Sequence, residues 1–188
     1  MENEKKLFTL IVHSENIVGL LNQVTAVFTR RQINIESLNV SASSIEGVHR
    51  YTITSYADRD SIERVARQIE KKIDVLQCRY FTDDEIFMQE VALYKLATGA
   101  LMDNPTMSEI IRKYQANIIE VNPTFSVVEK SGKTEDIIAL NKELSKVGGM
   151  LQYVSSGRIA ITRTRIEHMS EYLDKVSSLY EKKDKIDR

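Results

Sequence analysis

The feature that most constrains this chain is a change of hydrophobic period that runs in one order and then repeats. Leu7 to Val12 is nearly continuous apolar, as in a strand buried on both faces. Ile17, Leu20, Leu21, Val24, Val27 and Phe28 then follow helical spacing, with Asn16 standing before the stripe as an expected N-cap. Ile33 to Ala42 is rich in β-branched and apolar residues and predicts a strand. Glu46-Gly47 marks a turn, and Val48 to Tyr56 alternates with Tyr51 and Ile53 on one face. Ile62, Val65, Ala66 and Ile69 return to helical spacing, and Leu76, Cys78 and Tyr80 alternate again. The order is βαββαβ, a ferredoxin-like plait with two helices on one face of an antiparallel sheet.

The second half repeats that order with different residues. Ile86 to Leu96 predicts a strand, and Asn104-Pro105 a helix start with Met107, Ile110, Ile111 and Tyr114 as its stripe. Asn117 to Val121 and Thr124 to Val128 predict strands split at Pro123. Ile137, Leu140, Leu144 and Val147 form a second stripe stopped by Gly148-Gly149, and Met150 to Val154 predicts the last strand. Asn34, Ile35 and Asn39 recur as Asn117, Ile118 and Asn122, a weak internal repeat. The expected fold class is α+β, two tandem βαββαβ domains at 1–82 and 83–160 joined at Asp83-Asp84-Glu85, with a helical tail at 161–188. In that tail Ile166, Met169, Leu173, Val176 and Tyr180 suggest an apolar stripe that docks on the body or on a partner.

Bulk composition narrows the function. A chain of 188 residues, 42% hydrophobic and 28% charged with net charge −1, has no global field to attract nucleic acid or anionic lipid. The single Cys78 cannot form an internal disulfide, which fits a reducing, cytoplasmic setting. No apolar run is long enough to cross a bilayer, and the charged start Met1 to Lys6 is unlike a signal peptide.

The chemistry-bearing residues are sparse. His13, His49 and His168 have no metal-ligand spacing among themselves or with Cys78, and Cys78 alternates toward an apolar face, as a core thiol does. Ser131-Gly132-Lys133-Thr134 ends like a phosphate loop, but the position that needs the earlier glycine is Val127. It reads as a turn with Thr134 capping the next helix. Asp83-Asp84-Glu85 reads as a solvated linker. RNA-binding plaits display aromatics on central strands, whereas Tyr51 and Tyr56 fall on opposite faces here.

One segment stands apart, Glu15-Asn16-Ile17-Val18-Gly19-Leu20-Leu21. A glycine in the first turn of a helix permits close approach to the backbone, where free N–H groups and the positive dipole end attract a carboxylate. Asn16 adds an amide donor and acceptor. The residues leave two readings open: a ligand site, or a cap at Asn16 with Gly19 as a packing concession.

The run Glu15-Asn16-x-x-Gly19-x-Leu21, then Phe28, Arg31 and Asn34-Ile35-Glu36-Ser37-Leu38, resembles the ACT domain of acetohydroxyacid (acetolactate) synthase small subunits. The resemblance continues through Asp74-Val75-Leu76, Glu90, Lys95 and Ile118-Ile119-x-Val121 with Pro123, and covers roughly residues 6–160. It departs at Leu20, where a small residue is common, and at Asn22, aligned with a common serine. The resemblance implies a homodimer joined through ACT domains that binds valine or a related branched-chain amino acid between them. It implies no catalysis in this chain, activation and feedback control of a separate catalytic subunit, and thiamine diphosphate, magnesium and FAD held by that large subunit.

The plait places the Ile33–Ala42 strand at a sheet edge, open to pairing with its own copy. The resulting candidate effector site is Asn16, Val18, Gly19, Leu20, Asn34 and Ile35. The effector carboxylate meets the helix start, its ammonium meets backbone carbonyls near Ile35, and its side chain meets Ile35 and Leu20. The rival reading is a stand-alone ACT-domain amino-acid sensor of another enzyme or of transcription. A small plait enzyme has no nucleophile or base pair to support it.

Overall fold

The computed structural model describes residues 4–164, which form two compact units. The tail stripe from Ile166 to Tyr180, the segment Glu181–Arg188 and His168 lie outside the described residues.

The first unit is built on strand β1 (Lys6–Glu15), helix α1 (Leu20–Arg30), strands β2 (Ser37–Ala42) and β3 (Val48–Ala57), helix α2 (Arg59–Glu70) and strand β4 (Val75–Phe81). The sheet order β2-β3-β1-β4 is the plait order, with β2 and β4 at the edges. β1 is antiparallel to both neighbours, with Glu15 opposite Val48 at one end and Lys6 opposite Ala57 at the other. Seven consecutive β1 residues, Phe8 to Ser14, are buried, as the unbroken apolar run predicts. Every predicted stripe residue of α2 is buried, and Asp58 caps that helix by accepting from the Ser61 N–H at 2.8 Å.

Two elements start later than their sequence patterns predict. α1 begins at Leu20 because Gly19 makes a left-handed step just before it (φ 86°). β2 begins at Ser37, so Asn34 and Ile35 belong to the connector that leads into it.

The second unit is built on β5 (Ile86–Ala97), α3 (Thr98–Asp103), α4 (Pro105–Lys113), β6 (Asn117–Val121), β7 (Phe125–Gly132), α5 (Thr134–Val147), β8 (Met150–Ser155) and β9 (Ile159–Thr162). Its sheet runs β6-β7-β5-β8, the same plait order, with β9 added beside β5. The chain passes between the units inside β5, at Phe87–Met88, and the acidic run Asp83-Asp84-Glu85 forms the turn before that strand. The Asn104 side chain caps α4 through the Thr106 N–H, with Pro105 at the first position, and α5 stops at Gly148 (φ 88°). The core joins Tyr94 and Leu96 of β5 to Met107, Val128, Ile137, Leu140 and Leu144.

α3 and β9 are absent from the sequence reading. α3 has six residues and buries only Leu101, too little for a period to show. β9 has four residues and owes its place to pairing with β5, far away in sequence. The chain from 161 was expected to be helical, yet Ile161 and Thr162 lie in β9.

The internal repeat reaches the backbone. α1 and α4 end in the same closure. Gln32 and Gln115 take left-handed φ of 55° and 52°. Their N–H groups donate to Thr29 and Arg112, and the next residues, Ile33 and Ala116, donate to Phe28 and Ile111. This is a Schellman motif in which glutamine holds the position that usually takes glycine. Gln32→Gly and Gln115→Gly are therefore expected to stabilise by about 0.5 kcal/mol each, the left-handed penalty relieved being partly offset by glycine's greater backbone entropy. Val at either site is expected to destabilise, because a β-branched residue resists positive φ. Urea unfolding of the four variants checks this.

His13 lies on β1 opposite Arg50 of β3 and Gln77 of β4 and is only 7% exposed. Burial, with the Arg50 charge adding to it, lowers its pKa from 6.5 to about 4. The unfolded chain takes up this proton near pH 6.5 and the folded one only near 4, so stability is full above about 6.5. It is then lost as pH falls toward 4, by at most on the order of 3 kcal/mol. Unfolding midpoints at pH 5 and pH 7.5 are expected to differ less in His13→Gln than in the wild type.

Candidate functional site

The loop between β1 and α1 is pinned on both sides. The Glu15 N–H donates to the Asp74 carbonyl at 3.0 Å and the Asn16 N–H to the Gly47 carbonyl at 3.1 Å. The Ile17 N–H turns back to the Glu15 carbonyl, and the Leu20 N–H to that of Ile17. Gly19 then makes the left-handed step and accepts the first helical bond from the Gln23 N–H.

Asn16 is thus not the N-cap of α1; Gly19 is, and no side chain caps this end. The first turn also holds no acidic residue. The N–H groups and dipole of an eleven-residue helix therefore end without a compensating negative group, an arrangement that favours a bound anion. Gly19 is no packing concession either, since a Cβ there would meet nothing within 4 Å. The residue is required by its φ of 86° and leaves open space beside the helix end.

The neighbours of Gly19 in the chain expose apolar side chains. Val18 is fully exposed, and Ile17 and Leu21 are 44% and 40% exposed. Leu20, expected to touch the effector side chain, is instead fully buried in the first core. Leu20 shares the buried face of α1 with Val24, Val27 and Phe28, whereas Leu21, about 100° round the helix from it, is left outside. Leu21, which the singled-out segment contains but the candidate effector set does not, is the leucine that stays at the surface.

A single chain does not bring Asn34 and Ile35 to this loop. The Asn34 carbonyl accepts from Ser55, which pairs with Phe8, whereas the Asn16 loop sits where Glu15 pairs with Val48. Seven residues of strand, roughly 20 Å, separate the two levels. A nearby depression lined by the apolar Ile17, Ile45, Val48 and Leu76 also carries the Glu15 and Glu46 carboxylates, which repel an anion. The uncapped helix end is the better place for a carboxylate.

The remaining candidates are absorbed by structure. Cys78 is 5% exposed, and burial, with Glu70 nearby, pushes its thiol far up and out of reactive range. Ser131 and Gly132 lie within β7. Thr134 is the first residue of α5 and does not cap it. Its hydroxyl donates to Glu90 at 2.6 Å, and Ser155 donates to the other Glu90 oxygen at 2.9 Å. Arg158 completes the cluster, its Nε 3.7 Å from Glu90, with both side chains less than 10% exposed. Alternation along β5 places Glu90 on the core side with Ala92 and Tyr94, the one sequence signal of this cluster. Glu85 accepts from the N–H and hydroxyl of Thr82, which makes the acidic run a hydrogen-bonded turn. Tyr51 is buried and Tyr56 is 54% exposed, so the two do not form a stacking platform. Among the described residues, no three His, Cys, Asp or Glu side chains are placed to hold a metal ion, and no helix is long and apolar enough to cross a membrane.

Comparison with known proteins bears on both units. Residues 10–77 match the AHAS small subunit-like ACT domain, and residues 89–164 match the family described as the small subunit of acetolactate synthase. The acetolactate synthase small subunit of Bacillus subtilis (strain 168) is 32% identical over 160 residues, covering 85% of this chain and 91% of that one. The Mycobacterium bovis acetolactate synthase small subunit is also 32% identical, over 158 residues and 93% of its length. The crystal structure of the Thermotoga maritima acetolactate synthase small subunit has the same tandem fold, with a TM-score of 0.76 over 86% of this chain and 99% of that one at 21% identity. With both plaits matched along nearly the full length of these relatives, the chain belongs to the family of acetolactate synthase small subunits.

Proposed function

We propose that this chain is a non-catalytic regulatory subunit that activates a separate acetolactate synthase large subunit and makes it sensitive to a branched-chain amino acid, valine first among them. The observation that carries the reading is the uncapped, positive start of α1 with Val18, Ile17 and Leu21 exposed around it. That surface suits a small amino acid with a carboxylate and an apolar side chain. The partner half of the site, Asn34 and Ile35, lies at the far end of the same sheet. Antiparallel pairing of β2 with β2 of a second copy carries Asn34 and Ile35 of one chain toward Asn16–Gly19 of the other, so the site is completed only in a dimer.

The effector then biases the dimer between states that hold the large subunit differently, a coupling free energy between two sites. Thiamine diphosphate, magnesium and FAD belong to the large subunit in this reading, and the setting is cytoplasmic, without nucleic acid or membrane as partner. The match over residues 89–164 favours this reading over a stand-alone ACT sensor, which requires only the first plait.

Assay of acetolactate formation after mixing the purified subunits is expected to show no activity from this chain alone and increased turnover by the large subunit in its presence. Activity from this chain alone, or no change on mixing, sinks the proposal.

Gly19→Asp is expected to weaken valine binding by tenfold or more while activation persists, where each tenfold is about 1.4 kcal/mol. Because Gly19 needs positive φ, any side chain there strains the turn, and Asn and Asp are the least penalised. Gly19→Asn therefore carries the same backbone strain without the charge and is expected to keep valine affinity within a fewfold of wild type. Calorimetric titration of both variants decides. Normal affinity in the Asp variant refutes the site, and equal loss in both assigns the glycine to the backbone alone.

A further inference from the structure

We infer that Ser55 is a positioning residue for the effector: its buried hydroxyl sets the carbonyl directions of the Asn34–Glu36 connector so that Ile35 presents its backbone C=O to the ammonium of an α-amino acid bound by the second copy. This rests on the proposed function above for the identity of the ligand, and on geometry alone for the role of Ser55.

Ser55 lies on β3, is completely buried, and donates through Oγ to the Asn34 carbonyl at 2.6 Å. Two residues on, the Glu36 N–H donates to the Thr54 carbonyl at 2.8 Å. In a trans peptide the C=O of one residue and the N–H of the next point in opposite directions. The Asn34 C=O and the Glu36 N–H are both turned toward β3, so the Ile35 N–H and C=O, at the other ends of those two peptides, turn away from it. Upstream, the Ile33 N–H is tied to Phe28 by the closure at the end of α1. The regular ladder with β3 begins only at Ser37. At Asn34 the bond that orients the connector comes from the Ser55 side chain, and without it the chain between Ile33 and Glu36 is released to rotate.

The site reading alone expects an ammonium to meet any carbonyl near Ile35. The hydrogen bonds are more selective. The Asn34 carbonyl is directed inward and engaged by Ser55, and the Ile35 carbonyl is the one aimed at the edge where the second copy pairs.

The test uses the full chain with L-valine, L-leucine and L-isoleucine as probes, titrated calorimetrically at a temperature where every variant is folded. Ser55→Ala is expected to weaken binding of the preferred amino acid at least tenfold. Ser55→Thr, which keeps the hydroxyl, is expected to stay within about threefold of wild type. Tyr94→Phe in the second unit removes a buried hydrogen bond to the Ile137 carbonyl and serves as the control for general destabilisation. It is expected to lower the melting temperature without moving affinity. Wild-type affinity in Ser55→Ala, no rescue by Thr, or an equal loss in Tyr94→Phe overturns the role. Should Ser55→Ala fail to fold, Ser55→Cys replaces it, with an intermediate loss expected and wild-type affinity overturning the inference. A wild-type chain that binds none of the three amino acids refutes the proposed function. Amide hydrogen exchange at Ile35 and Glu36 then decides Ser55 independently. Faster exchange in the Ala variant than in the Thr variant supports positioning, and equal exchange overturns it.

Discussion

The pairing of β1 with β3 is the constraint on which the first unit depends. Ten residues of each strand run in an unbroken antiparallel register from Lys6–Ala57 to Glu15–Val48. A slip of one residue would send Leu10, Val12, Tyr51 and Ile53 to the wrong face, so the register is held by the whole core. That register also decides where function can reside. It delivers the end of β1 to the Gly47 turn, where the Asn16 loop is pinned, and it places Ser55 near the opposite end, where it holds the Asn34 carbonyl. The separation of the two halves of the candidate site follows from strand geometry.

The second unit has the same strand order but a different centre of gravity. Its core includes a carboxylate, Glu90, satisfied by the hydroxyls of Thr134 and Ser155 and faced by Arg158. Burying such a pair adds little net stability, because desolvation offsets most of the attraction. Its value is directional. The cluster links β5, the start of α5 and the turn between β8 and β9, and so directs the chain back to pair with β5. The phosphate-loop-like Ser131-Gly132-Lys133-Thr134 has its physical account here. Thr134 bridges a buried acid and a buried guanidinium, and the residues before it finish a strand.

Family membership and the site physics converge without depending on each other. The matched profiles cover both plaits, and they include the start of α1, where no side chain caps the helix, the first turn has no acidic residue, and Ile17, Val18 and Leu21 are exposed. Capping that end would be simple, as Asp58 does for α2 and Asn104 for α4. α3 and α5 also lack a side-chain cap, but the first turn of the fourteen-residue α5 carries Glu135 and Asp136, whereas that of α1 carries no acidic residue.

Local sequence by itself determined the elements whose faces are buried. The stripes of α2, α4 and α5, the strands β1 and β3, the break at Gly148 and the doubled plait order all follow from a period that burial imposes residue by residue. Of the candidate site, it singled out Gly19 and the run from Asn16 to Ile35. Only the tertiary structure decided where those residues lie. Leu20 is buried on the face it shares with Val24, Val27 and Phe28, and Leu21, one position on, stays 40% exposed. Asn16 gives up the cap because its backbone is bonded to Gly47, and Asn34 is oriented by a hydroxyl 21 residues away. β9 and the partnership of Glu90 with Arg158 likewise join positions far apart in the chain. Periodicity reports which side of an element faces apolar surroundings, whereas a hydrogen bond depends on the position of two particular atoms, and that is set only when strands remote in sequence have paired.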